Sequence, residues 1–348
     1  VVGRAGLVGD YGRLLATTIA FNAIAVLAIS TLAGATGIWS LGHTTFIALG
    51  AYLCANLTKM NVPLEIIVPT VAAAAAVLGY ILGLSAGRFS ILYFGLLTLA
   101  VALTGMEIMG RLTGYTGGDQ GMPVPPVYSW LAPRALSTQD ALPVALTLAA
   151  IVFVLADVVI KGPRGRRWRA VKSQRTASMS MGLVPHQENA LAFALSAAFA
   201  AAGGVAGALA IGYLEPESFN LDAGVMLIVA TVVGGIASFW GAVVGAAFVI
   251  GTPEVFRGVR DASAFALGFV MVAVLLFMPR GLVPTLLGVL QKGGGKVAPK
   301  AEAERTAGAG DQQLGQRIAA LAAELMPAAR HGLLVSELSV AFGGLTAL

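Results

Sequence analysis

Residues 189–213, "NALAFALSAAFAAAGGVAGALAIGY", run for 25 positions without a charged side chain. About 20 apolar residues cross a bilayer, so this stretch is long enough to span one. Its alanines and glycines suit a helix packed closely against other helices. The remainder of the chain agrees. Of 348 residues, 57% are hydrophobic and 11% charged, with a mean hydropathy of +0.84. A soluble domain carries about 25% charged residues. This composition cannot clothe a water-facing surface, which excludes a soluble enzyme, a disordered chain and a nucleic-acid binder. The single cysteine, Cys54, excludes an internal disulfide and a cysteine-based metal cluster.

Working outward, further apolar stretches occupy 14–34, 66–84, 89–106, 141–156, 223–253 and 262–279, with a shorter Gly-rich one at 35–57. The fold expected is an all-α polytopic membrane protein of about 6–8 transmembrane helices, with broken or re-entrant Gly-rich segments. Seven of the 22 basic residues lie between Lys161 and Arg175, where there is no acid. Such a cluster marks a cytoplasmic loop. By parity "EPESFNLD" (Glu215 to Asp222), with three acids and no cation, faces the other side.

The run 223–250 is too short for two full spans. If it enters and returns as a broken hairpin around Gly234 and Gly235, the tail carrying Arg280, Lys292, Lys296 and Lys300 is cytoplasmic, as the positive-inside bias prefers. Broken helices at membrane depth survive only where protein buries them or where they line a cavity, so 223–250 is a candidate pathway wall. Reading 35–57 in the same way places Arg4, Arg13 and Arg88 inside. Gly37 to Ser40 and Gly235 to Ser238 share Gly-Ile-x-Ser, a match that chance explains as well as a repeat does. Residues 1–290 therefore read as a transmembrane domain and 291–331 as a charged linker with a short helix at 312–327. Residues 332–348 contain a β-branched alternation typical of a strand, and the ending "GGLTAL" reads as a stop inside a further domain.

Little here suits catalysis. The three histidines are far apart, and no HExxH, GxSxG or phosphate-cradling Gly-Lys loop occurs. His43, among small residues in an apolar run, is either a polar group lining a pathway or a buried histidine satisfied by a neighbouring helix. Glu107 is either a proton or substrate site or the partner of Arg111 one turn on. Asp119 in "TGGDQG" suits a turn, and Glu254 suits an interfacial ion pair with Arg257 and Arg260. The cations at 164–175 are either anchors for anionic lipid or part of a partner-docking helix.

The motifs are specific. "GATGIWSLGHTTFIALGAY" (Gly34 to Tyr52) resembles the hallmark G-x-x-S-L-G-H-x-x-F-x-x-x-G-A-Y of permeases in branched-chain amino-acid ABC importers. In the family's order follow "RFSILYFGLLTLA" (Arg88 to Ala100), with Ser90 in place of a glycine, "TGGDQGM" (Thr116 to Met122) and "YLEPESF" (Tyr213 to Phe219). "GGIASFWGAVVGA" (Gly234 to Ala246) and "MPRGL" (Met278 to Leu282) complete the set. The resemblance spans residues 11–285 and is closest to the longer of the two permease types. Polar groups and glycines within these apolar runs make the pathway candidates Ser40, His43, Thr45, Thr98, Glu107, Gly234 and Gly235. The resemblance implies an ATPase-coupling segment at 161–188 with Gly165, Arg166, Arg169, Ala170 and Gly182 retained. Met179 stands where the family carries a glutamate. "LLVSELSVAFGGLTAL" resembles the first strand of the ATPase in such systems, with Phe342 as a candidate for stacking on adenine.

What the resemblance implies is a multi-pass permease of the bacterial inner membrane. It would have no cofactor of its own and would use ATP through an ATPase domain or subunits. Its partners would be a second permease, ABC ATPases, an external substrate-binding protein and membrane lipid, and no nucleic acid. A same-fold importer of urea or short amides is the nearest alternative. An ion-coupled carrier would have to use Glu107, and a membrane enzyme lacks a constellation. Single-cysteine labelling on a Cys54→Ala background is expected to reach 215–222 from outside, and 161–175 and 292–305 only from inside. Labelling of 292–305 from outside would overturn the hairpin reading of 223–250.

Overall fold

The computed structural model describes residues 2–86, 91–131, 135, 136, 138–236 and 238–255, with 268, 272, 276, 278, 281–285, 340–342 and 345–347. The helices are α1 (Val2–Thr36), α2 (His43–Lys59), α3 (Leu64–Ser85), α4 (Ile91–Arg111), α5 (Thr113–Thr116), α6 (Ala141–Lys161), α7 (Pro163–Ser173), α8 (Arg175–Ser180), α9 (Pro185–Ile211), α10 (Leu221–Gly234) and α11 (Phe239–Val255). Among the described residues six helical segments are long and apolar enough to cross a membrane, and the chain is the all-α polytopic protein its composition required. Proline opens α7 and α9, where its missing N–H costs nothing. Asn220 caps α10 by accepting the Ala223 N–H at 2.9 Å.

The centre is α9, buried along most of its length and packed by α1, α2, α3 and α6. Paired positions set the directions. Ala28 of α1 meets Ser196, and Phe21 meets Gly207, so α1 runs antiparallel to α9. Gly79 and Gly83 of α3 meet Ala197 and Ala190, again antiparallel. His43 meets Ser196 while Ala51 meets Gly204, so α2 runs parallel to α9 and starts about halfway along it. One end of the bundle therefore carries α7 and α8 and the start of α9. The other carries the segment 112–140 and the turn 212–220, joined by β1 (Met122–Pro123) pairing antiparallel with β2 (Tyr213–Leu214).

Packing rather than hydrophobicity holds such helices together, because lipid tails are as apolar as leucine. The backbones accordingly touch. A Cβ at Gly204 would strike the Ile47 carbonyl, and one at Gly79 or Gly83 would lie 2.6 Å from Ala197 or Ala190. By contrast α3 and α6 keep large apolar side chains exposed, among them Val77, Ile81, Ile151 and Val154, which suits a lipid-facing surface.

Two expectations about the broken segments have distinct outcomes. Residues 223–250 do form a hairpin: α10 and α11 lie antiparallel, with Gly234 against Gly241 and Ala230 against Gly245. Residues 35–57 do not enter and return. The chain unwinds over 37–42 and then α2 travels one way toward the 112–140 end. This reverses the expected sidedness of Arg13, which neighbours Thr138, Gln139 and Ala210 at the end opposite α7. The reason is parity, since a one-way half-helix adds a crossing that a hairpin would cancel. Arg88 and most of 262–279 lie outside the described residues.

Residues 290–348 form a separate unit. In it β3 (Val340–Phe342) pairs antiparallel with β4 (Leu345–Ala347), Phe342 opposite Leu345. The expected helix at 312–327 and the start of the expected strand lie outside the described residues.

Gly204→Val is expected to destabilise the bundle by about 1–3 kcal/mol or more, the usual penalty for overpacking a close contact. Gly95→Ala, where nothing lies within 4 Å of the added carbon, should be neutral. Thermal unfolding in detergent, followed by size-exclusion chromatography, compares the two directly.

Candidate functional site

The unwound link 37–42 is held from two sides. Gly37 takes a positive φ of 77°, which L side chains rarely adopt, and so lets the chain leave α1 sharply. Ser40 accepts the Gly42 N–H at 3.2 Å, a local turn just ahead of α2. Thr98 of α4 accepts the Leu41 N–H at 3.2 Å while donating to the Gly95 carbonyl at 2.9 Å. Thr45 donates to the Val101 carbonyl at 3.2 Å. Ser40, Thr45 and Thr98 thus come together as fasteners of the break, where backbone groups have lost helical partners.

His43, the first residue of α2, is fully enclosed. Its Nε2 lies 2.6 Å from Ser196 Oγ, and that hydroxyl donates to the Ala28 carbonyl at 2.7 Å. With its own proton committed, Ser196 Oγ accepts, which assigns the His43 proton to Nε2. The rings of Phe46 and Phe193 pack on the imidazole with centroids 6.1 and 5.6 Å away, and Phe94 closes on Phe193. His43 therefore links α2, α9 and α1 through a polar chain inside an aromatic cage.

Beside this break lies a cavity of about 300 Å³ between α1, α2, α10 and α11. Its walls include Asn22, Ala25, Thr44, Leu227, Ala230 and Val249, and among the described residues no charged side chain lines it. Thr44, in the first turn of α2, is buried and its Oγ1 has no hydrogen-bond partner among the described residues. An α-helix N-terminus carries a partial positive charge, so the polar end of this apolar cavity favours an anionic group. Asn22 and Thr44 escaped the sequence reading. Their only signal was adjacency to the "SLGH" motif for Thr44, and none for Asn22.

Gly234 and Gly235 form the bend of the α10–α11 hairpin. Gly235 has a φ of 109°, and Gly281 of the "MPRGL" segment sits directly on it. Ser238 and Phe239 lie beside Leu27, Thr31 and Ile160, which sets the bend toward the α7 end. These two glycines are thus apart from the Ser40–Thr98 cluster, at the far end of the helices that wall the cavity.

The basic segment folds as two short helices, α7 and α8. Gly165 lets α7 touch the Ile160 carbonyl, and Trp168 and Val171 are buried beneath it. Arg169 donates to the Ile160 carbonyl at 3.0 Å, and Arg166 reaches the Lys161 carbonyl at 3.4 Å, both at the C-terminus of α6. Lys172 donates to the Ala33 and Gly34 carbonyls at 3.2 and 2.8 Å, at the end of α1 beside Gly37. Cations there complement the negative end of each helix. Arg167 lies 3.8 Å from the buried Glu188 in the first turn of α9. Gly182 has a φ of 77° with nothing near its missing Cβ, so it makes a turn and not a close approach. Ala170 is partly covered, and Met179 and Met181 are exposed.

Glu107 is exposed and paired with Arg111 at 2.6 Å, away from the cavity. Phe342 belongs to the separate C-terminal unit.

Residues 13–279 match the family described as the permease component of the branched-chain amino acid transport system. The high-affinity branched-chain amino acid transport system permease protein LivM of Escherichia coli is 26% identical over 294 residues, 78% of this chain and 69% of that one. LivM of Salmonella typhimurium is equally similar. LivH of the same organism, a permease protein of the same system, is 25% identical over 78% of this chain and 93% of its own. No solved structure matches the chain.

Ser196→Ala should strand the His43 Nε2–H and cost about 1–3 kcal/mol of stability. His43→Phe combined with Ser196→Ala should recover much of that loss, since no polar group is then left unpaired. Thermal unfolding of both single variants and the double variant measures this coupling.

Proposed function

The chain belongs to the family of branched-chain amino-acid transport permease components, and from that premise we propose that it is one permease of an ATP-driven importer for such amino acids. Its relatives are transport subunits, not enzymes. The single observation that carries the substrate reading is the cavity at the broken helix. Its aliphatic walls suit a leucine-like side chain, and the N-terminus of α2 with Thr44 suits the carboxylate. Ser40, Thr45, Thr98 and the His43–Ser196 pair act as the frame that keeps that helix end in place. Gly234 and Gly235 serve as the bend about which the cavity's outer wall, α10–α11, moves between two states.

In this reading the α7 end is cytoplasmic, as its excess of Lys and Arg favours, and the 112–140 end meets an external binding protein. A second permease and two ATPase subunits complete the assembly, and ATP is used there. The terminal strand with Phe342 is read as the edge of an ATPase domain, on its resemblance alone. Coupling would pass through the α7–α8 elbow, built on Gly165, Arg166, Arg169, Ala170 and Gly182. An ATPase moving α8 pulls on α7, and Lys172 ties α7 to the end of α1, next to the link 37–42 that borders the cavity.

The test is reconstitution with the binding protein, partner permease and ATPases in vesicles. Branched-chain amino acids are expected to stimulate ATP hydrolysis and to enter. Stimulation by urea with none by leucine would replace the substrate assignment. Thr44→Val should raise KM by roughly tenfold, the worth of one hydrogen bond to a charged group. Gly182→Leu forces a side chain into a left-handed backbone at a cost of about 1–2 kcal/mol; it should abolish stimulation while insertion stays normal. Lys172→Met should uncouple hydrolysis from uptake, and Lys172→Arg should restore it.

A further inference from the structure

The cavity beside the broken helix has a second polar wall. Asn22 of α1 lines it with Phe21, and the cavity runs from Thr44 toward Ser218 and Phe219 of the turn 212–220. Asn22 Nδ2 donates to the Thr18 carbonyl, one turn back, at 2.9 Å. That bond settles which way the amide lies, since a carbonyl can only accept. The nitrogen faces the backbone of α1, and Oδ1 is turned away from it. Among the described residues no donor reaches Oδ1. A bare acceptor on an apolar wall selects for a ligand that donates.

Asn22 and Thr44 lie at different depths. His43, next to Thr44, meets Ser196 of α9, whereas Phe21, next to Asn22, packs on Gly203 and Gly207. Ser196 and Gly203 are seven residues apart, which at the rise of an α-helix is about 10 Å. Asn22 is the nearer of the two to the 112–140 end. An α-amino acid carries its ammonium and carboxylate on one carbon, too close together for direct hydrogen bonds to Asn22 and Thr44 at once.

We propose that Asn22 forms an outer subsite for the ammonium of an incoming amino acid, occupied before the carboxylate reaches Thr44; the order, though not the subsite, rests on the importer reading above. An ammonium brings only donors to Oδ1, and a carboxylate brings only acceptors. Ile211 and Phe219 line the same outer end and cover the aliphatic side chain.

Two probes separate the subsites: 3-methylbutylamine, a leucine skeleton without the carboxylate, and 4-methylpentanoate, one without the ammonium. Binding to the full chain in nanodiscs would be read by saturation-transfer NMR, with lipid-only discs subtracted. The amine is expected to bind the wild type and Thr44→Val alike, and Asn22→Leu roughly tenfold more weakly, the worth of one hydrogen bond to a charged group. The acid should show the reverse dependence, and its retained binding shows that Asn22→Leu is folded. Asn22→Ser should recover most of the amine binding. Its hydroxyl can donate to the Thr18 carbonyl, as Thr17, Thr36 and Thr58 do four residues back in their own helices, and still accept. In the assembled importer Asn22→Leu should raise the KM for leucine, with the loss falling on KM rather than on kcat. Equal binding of the amine by the wild type and Asn22→Leu overturns the proposal, and so does an Asn22→Ser chain that binds it no better than Asn22→Leu. An importer that moves no leucine overturns the order of binding together with the importer reading, whereas the subsite is decided by the probes, which need neither ATPases nor binding protein.

Discussion

The contact between Gly204 of α9 and the Ile47 carbonyl of α2 is the constraint on which the rest of the bundle depends. Inside a bilayer, burial of apolar surface gives helices no reason to associate, and dispersion between touching backbones must supply it. That contact sets how deep α2 sits against α9. It fixes His43 at the level of Ser196 and so opens a helix N-terminus about midway along the central helix. Every polar feature nearby follows from that depth. The Ser40 turn and the Thr98 acceptor each satisfy a backbone N–H that an unbroken helix would have satisfied itself, and Ser196 pairs the buried His43 side chain.

The basic segment shows a comparable economy. Cations that composition could assign only to lipid anchoring or to docking are used first within the protein, on the carbonyls that end α1 and α6. The two roles do not compete, because they use different properties: local hydrogen-bond donors for the helix ends, and net charge for the membrane sidedness proposed above. The exposed methionines of α8 and the next turn are left as surface once α7 is tied down.

Much of this was legible in the chain itself. The apolar lengths showed an all-α polytopic membrane protein, and the order of the glycine motifs pointed to the family. The α10–α11 hairpin was chosen over a single crossing because the cations of the tail favour the cytoplasmic side, with Gly234 and Gly235 marking the break. Sidedness at the start was not legible, because a Gly-rich run of the length of 35–57 can return or continue, and Arg13 changes sides between the two. The cavity was not legible either. Asn22, Thr44 and Val249 are remote in sequence, and each alone is an ordinary residue of an apolar helix.

Composition, run length and charge placement are one-dimensional properties, and a bilayer converts them almost directly into spans and a cytoplasmic loop, since hydrocarbon admits little else. Whether Thr44 faces a cavity, whether His43 meets Ser196, and whether Lys172 caps α1 depend on the rotation and depth of one helix against another. Those are set by where two backbones can approach, as at Gly204 and Gly79. No local pattern encodes that choice, because each glycine makes an approach possible and only its opposite number makes it happen.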